Sequence, residues 1–148
     1  MYDFEVERPG SVADAVKVLG QEDAQPLSGG QTLIPTLKAR LAMPSVLVSL
    51  AGIDALKGVE MRDGALWIGG GTTHATVMRE AAESYPALAS LAARIGDPAV
   101  RNRGTIGGSL ANNDPSACYP AGALASGATI ETDRREIAAD DYFQGMFT

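Results

Sequence analysis

Thiol and imidazole are scarce in this sequence, which holds one cysteine, Cys118, and one histidine, His74. One cysteine can form neither an intrachain disulfide nor a thiolate cage for an iron–sulfur cluster. A lone histidine without neighbouring acids is a poor metal site and a poor catalytic candidate. His74 is therefore expected at the surface or in a capping role, and neither a metal ligand nor a catalytic residue is expected anywhere in the chain. Aromatics are only 5 % of the residues, so the core must come from Ala, Val, Leu and Ile. Basic residues are outnumbered, with 12 Lys and Arg against 18 Asp and Glu and a net charge of −6. A nucleic-acid binder would show a basic stripe instead. An anionic cofactor stays open, because backbone amides and helix N-termini bind phosphate without Lys or Arg. No apolar run approaches membrane-spanning length. The opening Met1-Tyr2-Asp3-Phe4-Glu5 is polar and acidic, unlike a signal peptide, so the expected compartment is the cytoplasm.

What is present is glycine: 17 in 148 residues, a length that suits one domain or two small subdomains. The densest stretch is Arg103-Gly104-Thr105-Ile106-Gly107-Gly108-Ser109-Leu110-Ala111-Asn112-Asn113-Asp114-Pro115. Glycines let a backbone approach a ligand, and the hydroxyl and amide side chains add short donors beside the N–H groups. Such a loop can cradle a phosphate in a nest of amides. A second turn, Leu27-Ser28-Gly29-Gly30-Gln31-Thr32, joins an extended segment to a helix start, the arrangement that presents amides to an anion. Taken alone it reads first as an ordinary αL turn between strand and helix. Gly69-Gly70-Gly71-Thr72-Thr73 is a third amide-rich candidate. None is a Walker A loop, since Lys38 lies too far from the glycines and no Gly-Lys-Ser/Thr occurs, and no G-x-G-x-x-G opens the third. Arg101 and Arg103 either neutralise a diphosphate or pair with carboxylates.

The intervening pattern predicts mixed helix and strand. Phe4–Glu7 alternates as a strand, and Ser11 with Asp14 marks a helix start whose Val12, Ala15, Val16 and Leu19 share a face. Leu33, Ile34, Leu37 and Leu41 recur at helical spacing, and Val46–Leu50 reads as a buried strand. Asp63-Gly64 between apolar runs predicts a hairpin carrying a half-buried Trp67. Helices follow from His74, from Tyr85-Pro86 and near Pro120. Ala128–Thr132 and Glu136–Ala138 read as strands, and Asp140–Phe143 as a last helical turn.

Three segments carry a resemblance to a known family: Pro26–Pro35, Arg101–Pro115 and Ala139–Thr148. The sequence resembles the FAD-binding medium subunit of molybdenum hydroxylases, the xanthine dehydrogenase and aerobic carbon monoxide dehydrogenase group, over essentially its whole length. The resemblance implies an α+β architecture, a two-subdomain FAD-binding fold of the vanillyl-alcohol-oxidase type. Residues 1–52 would form the first subdomain and 53–148 the second, with the family's C-terminal α+β domain absent. FAD would lie between the two. Ser28, Gly29, Gly30, Gln31, Thr32 and Leu33 would surround its diphosphate together with Thr105, Ile106, Gly107, Gly108 and Ser109. Asn112 and Asp114 would reach sugar hydroxyls, and Gly71 and Thr72 would touch the cofactor. Where family members often carry an acid near the flavin's sugar chain, this sequence has Cys118.

The implied function is electron transfer within an oxidoreductase. A molybdopterin-binding large subunit would oxidise the substrate, and [2Fe–2S] clusters of a small subunit would pass electrons to FAD here, in a heterotrimer that dimerises. No residue of this chain then acts as acid, base or nucleophile, and the chain would be inactive alone. The alternative is a truncated docking module of the same complex that holds no flavin.

Overall fold

Pro9 and Gly10 stop the first strand, and Ser11 then caps a helix. In this computed structural model, which describes residues 1–147, the Asp14 N–H donates to Ser11 Oγ at 3.1 Å, and the Ser11 hydroxyl returns a bond to Asp14 at 2.7 Å. The elements that follow in order are β1 (Glu5–Glu7), α1 (Val12–Leu19), β2 (Ala24–Leu27), α2 (Leu33–Lys38) and β3 (Val46–Ser49). The three strands form one parallel sheet in the order β1-β3-β2. Its centre is β3, where Leu47 and Val48 are buried. Pro26 sits in β2, an edge strand, where a missing N–H costs the ladder little. Ala15, Val48 and Ile53 make the core of this part, with Val12, Val18 and Leu19 packed on it. The predicted face of α1 is thus rotated. Val16 is exposed, because the helix lays its Val12, Ala15 and Leu19 side on the sheet and Val18 completes the contact. Leu41 is also exposed, because α2 ends at Lys38, short of it.

After a single 3₁₀ turn at Asp54–Leu56 come β4 (Val59–Arg62) and β5 (Ala65–Ile68), an antiparallel hairpin. Asp63 and Gly64 turn it with φ of 49° and 82°. Positive φ at both central residues is what a type I′ turn demands. Trp67 lies half-exposed under the Arg62 guanidinium, 5.0 Å from the ring centre. Then follow α3 (His74–Glu80), α4 (Pro86–Ala93), α5 (Pro98–Arg101), α6 (Ile106–Asn112) and α7 (Cys118–Ala125), and finally β6 (Thr129–Glu131), β7 (Glu136–Ala138) and α8 (Ala139–Tyr142). Val77, Ala81, Ala89, Ala92 and Tyr119 form the second core, with Leu88, Leu91, Ile106 and Leu110 around it. Each large aliphatic or aromatic side chain buried there stabilises the fold by about 1.5–3 kcal/mol. Thr148, the last residue of the third family-like segment, lies outside the described residues. Among those described, no helix is long and apolar enough to cross a membrane.

Candidate functional site

Three glycine-rich turns meet where the parallel sheet adjoins the helical part. The first leaves β2 at Ser28-Gly29. A Cβ added at Gly29 would lie 2.7 Å from the Gly104 Cα and closer still to the Arg103 carbonyl oxygen, so two backbones touch there and only glycine fits. The second contact joins Gly107 to Gly70. A Cβ on Gly107 would come within 2.6 Å of Gly70 O. Hydrogen bonds sew the turns together. Ser28 Oγ and Thr105 Oγ1 lie 2.9 Å apart. The Ile106 N–H donates to Thr72 O at 3.0 Å, Gly107 N–H to Gly70 O at 2.9 Å, and His74 N–H to Gly104 O at 3.0 Å. Thr72 is buried and ties down Gly58, accepting from its N–H at 2.9 Å and donating to its carbonyl at 3.1 Å.

The Thr105–Ser109 stretch is a helix start. Thr105 caps α6 by accepting the Gly108 N–H at 3.2 Å, while the Ser109 N–H donates to Thr105 O at 3.0 Å. The amides of Ile106, Gly107, Gly108 and Ser109 are therefore all used within the protein. At the third turn Gly69, Gly71 and Thr72 donate to Gly58 O, Leu56 O and Gly69 O, while among the described residues the Gly70 and Thr73 N–H groups of that turn are left without a partner in the protein. Most of the amides expected to form open nests at these two places are instead spent, for one physical reason: the glycines there serve close backbone packing, and packing satisfies the donors. The first turn differs. Among the described residues, the N–H groups of Gly29, Gly30, Gln31, Thr32 and Leu33 have no partner in the protein. Gly30 sits at φ 72°, which glycine adopts without strain. An unpaired row of amides beside two facing hydroxyls can accept an anion with several acceptor oxygens.

A cleft of about 210 Å³ opens beside this junction. Of the candidate residues it brings together Ser28, Gly29, Thr72 and Thr105, and Gly71 joins them. Lys57, Thr73, Thr76 and Arg103 also line it, and neither Lys57 nor Thr76 is singled out by the sequence pattern. No Asp or Glu is in the lining. Gly30, Gln31, Thr32 and Leu33 continue from its rim into α2, and Ile106, Gly107 and Ser109 back it as the first turns of α6. Gly108 is exposed, and its added Cβ would lie 3.9 Å from Ser28 Cβ. Asn112 lies on the last turn of α6, away from the cleft lining. Asp114 accepts from the Ser116 N–H at 2.9 Å and hydroxyl at 2.7 Å, and these bonds hold its carboxyl below the usual carboxylate range. The neighbouring Asn113, not Asn112, is the buried amide. It closes α6 in the left-handed region at φ 42° and donates from Nδ2 to Gly145 O at 2.6 Å. The two arginines divide. Arg101 donates to Ile95 O and Gly96 O, while Arg103 is exposed at the cleft.

His74 contradicts its expected surface or capping role. It is only 5 % exposed, its Nδ1 has no partner, and burial pushes its pKa down to about 4. The residue before it, Thr73, does the capping, accepting the Thr76 N–H. Among the described residues no group of three or more His, Cys, Asp or Glu side chains could hold a metal ion.

Comparison with known proteins relates the chain to one family, two curated relatives and two solved structures. A family model described as the FAD binding domain in molybdopterin dehydrogenase matches residues 2–148. The carbon monoxide dehydrogenase medium chain of Afipia carboxidovorans is 41 % identical over 97 % of this chain and 53 % of its own length. The nicotine 6-hydroxylase medium subunit of Paenarthrobacter nicotinovorans is 37 % identical over 94 % of this chain and 52 % of its own. Among solved structures, reconstituted CO dehydrogenase from Oligotropha carboxidovorans superposes with a TM-score of 0.94 at 39 % identity, covering 99 % of this chain and 54 % of that one. Quinoline 2-oxidoreductase from Pseudomonas putida 86 gives the same TM-score at 34 % identity and the same coverage. This chain spans about half the length of the relatives it matches.

Proposed function

The chain belongs to the family of FAD binding domains in molybdopterin dehydrogenases, and from that premise we propose that it binds FAD across the glycine-rich junction as an electron-transfer part of an oxidoreductase. The observation that carries this reading is the row of unpartnered amides from Gly29 to Leu33, set beside Ser28, Thr105 and a cleft without carboxylates. A diphosphate offers acceptor oxygens and no donors, so it fits such a row. The cleft is smaller than the roughly 300–1,000 Å³ that encloses a whole small ligand. It suits the diphosphate and its neighbours, with the rest of the cofactor lying over open surface.

In this reading residues 1–52 and 53–148 are the two subdomains of a vanillyl-alcohol-oxidase-type fold. Ser28 and the Gly29–Leu33 amides hold the diphosphate. Thr105, Ile106, Gly107, Gly108 and Ser109 fix that grip from behind, and Thr72, Asn112 and Asp114 meet the flanking groups. When bound, FAD supplies the redox chemistry, and this chain supplies position and electrostatics. The partners are a molybdopterin-binding large subunit and a [2Fe–2S] small subunit, in a cytoplasmic molybdenum hydroxylase complex.

Calorimetric titration with FAD, ADP and riboflavin tests the reading. A diphosphate grip binds FAD and ADP, and riboflavin at least tenfold more weakly. Heat from neither FAD nor ADP would sink it. The spent amides at Ile106–Ser109 favour the second reading, a docking module without flavin, which is the one left standing by that result.

A further inference from the structure

Four layers stack at the junction: Tyr119, His74, Gly104 and Gly29. The Tyr119 ring, 1 % exposed, belongs to the helical core, and the His74 ring packs on it with centroids 5.2 Å apart at 44°. On its other side the imidazole fills the space that a side chain at Gly104 would take. A Cβ there would lie 2.5 Å from His74 Nε2 and 2.9 Å from Cδ2. The His74 N–H also holds Gly104 O at 3.0 Å. Gly104 in turn abuts Gly29, the first of the unpartnered amides, and the next residue, Thr105, meets Ser28. A buried imidazole with an unpaired Nδ1 is an unfavourable way merely to fill a core, and the hydroxyl of the Tyr119 ring packed on it is unpaired as well.

We propose that His74 is a positioning residue for cofactor binding: its ring carries the rigidity of the Tyr119 core to the Arg103–Gly104 turn and so sets the spacing of that turn from Gly29. This rests on the FAD reading above. His74 lies behind the turn and does not line the cleft. It therefore acts through the backbone of residues 103–105, and changing it alters affinity without removing a ligand contact.

The test is a double-variant cycle on the 148-residue chain, with FAD affinity by calorimetry and unfolding midpoint in urea as separate readouts. His74→Ala is expected to weaken FAD binding about tenfold, and Gly104→Ala by as much or more. Gly104 has no positive φ, so alanine there meets chiefly the imidazole. In His74→Ala/Gly104→Ala the added methyl occupies the space vacated by the ring, and affinity should return to within about threefold of wild type. A Gly104→Ala chain that folds and takes up FAD only when His74 is also alanine supports the proposal equally. It is overturned if His74→Ala binds FAD as wild type does, or if the double variant binds no better than Gly104→Ala. Failure of the FAD reading itself looks different. The wild-type chain then takes up no FAD, while the urea midpoints still report whether the two positions are coupled.

Discussion

Acid should destabilise this protein through one imidazole, and the size of the effect follows from where His74 sits. Burial alone lowers its pKa from 6.5 to about 4. Between those values the unfolded chain binds a proton that the folded chain does not, so stability falls as the pH drops from 6.5 towards 4 and is level below that. At pH 4.5 the penalty works out at about 2.5 kcal/mol, against a ceiling of about 3.4 kcal/mol for the whole shift. A loss of that size is a large fraction of a domain's roughly 5–15 kcal/mol. Tyr119, the ring against it, is pushed up by burial and stays neutral throughout. Carboxylates titrate in the same window, so the comparison must be internal. Urea unfolding of wild type and His74→Gln at pH 7.5 and 4.5 cancels them. Glutamine has a similar reach and no proton to gain. Wild type should lose about 2.5 kcal/mol more than the variant between the two pH values, with the slope in urea unchanged. If the two proteins lose stability in parallel, His74 is not a buried neutral imidazole and the reasoning fails.

Three further outcomes follow from the same contacts. Gly29→Ala forces a methyl into the Arg103–Gly104 backbone. It should cost about 1–3 kcal/mol by overpacking and abolish detectable FAD heat in calorimetry. Thr105→Val removes the cap of α6 and the Ser28 contact, for a loss of about 1–2 kcal/mol in urea; Thr105→Ser should keep most of it. Asn113→Ala places alanine at φ 42° and deletes the bond to Gly145. It should cost about 2 kcal/mol and speed proteolysis of the C-terminal segment, while Asn113→Gly recovers the backbone share.

Much of the fold is legible in local chemistry. The Ser11 cap, the Asp63-Gly64 turn and the run Val46–Ser49 each carry their signal within a few residues, and each forms as expected. Sequence patterning fails where partners distant in sequence decide the outcome. Leu41 continues a helical period, yet the helix has already ended at Lys38. Glycine in a helix interior reads as a loop, and Gly107 and Gly108 lie inside α6 because Gly107 must pass Gly70 at backbone distance. Nothing local marks His74 for burial. Its environment is built by Tyr119 and Gly104, 45 and 30 positions away. The Gly29–Leu33 turn is legible as a glycine turn leading into a helix. That its amides are free while those of Ile106–Ser109 are spent depends on which acceptors fold across them.

That division of labour is how a chain of net charge −6 would present the proposed anion site. Salt screens charges over about 8–10 Å, so the remote carboxylates matter less to a ligand than the groups in contact with it. The charged side chains lining the cleft are Lys57 and Arg103. Lys57 is already paired with Asp54 at 2.8 Å, which leaves Arg103 and the amide row as the local positive potential. Main-chain amides need no counter-charge, do not titrate, and are fixed by the same contacts that fix the turn. The glycines at 104 and 107 therefore contribute with their own N–H groups already spent on Val100 O and Gly70 O. By letting three backbones touch, they and Gly70 fix the place of the turn at Gly29 that carries the unpaired N–H groups.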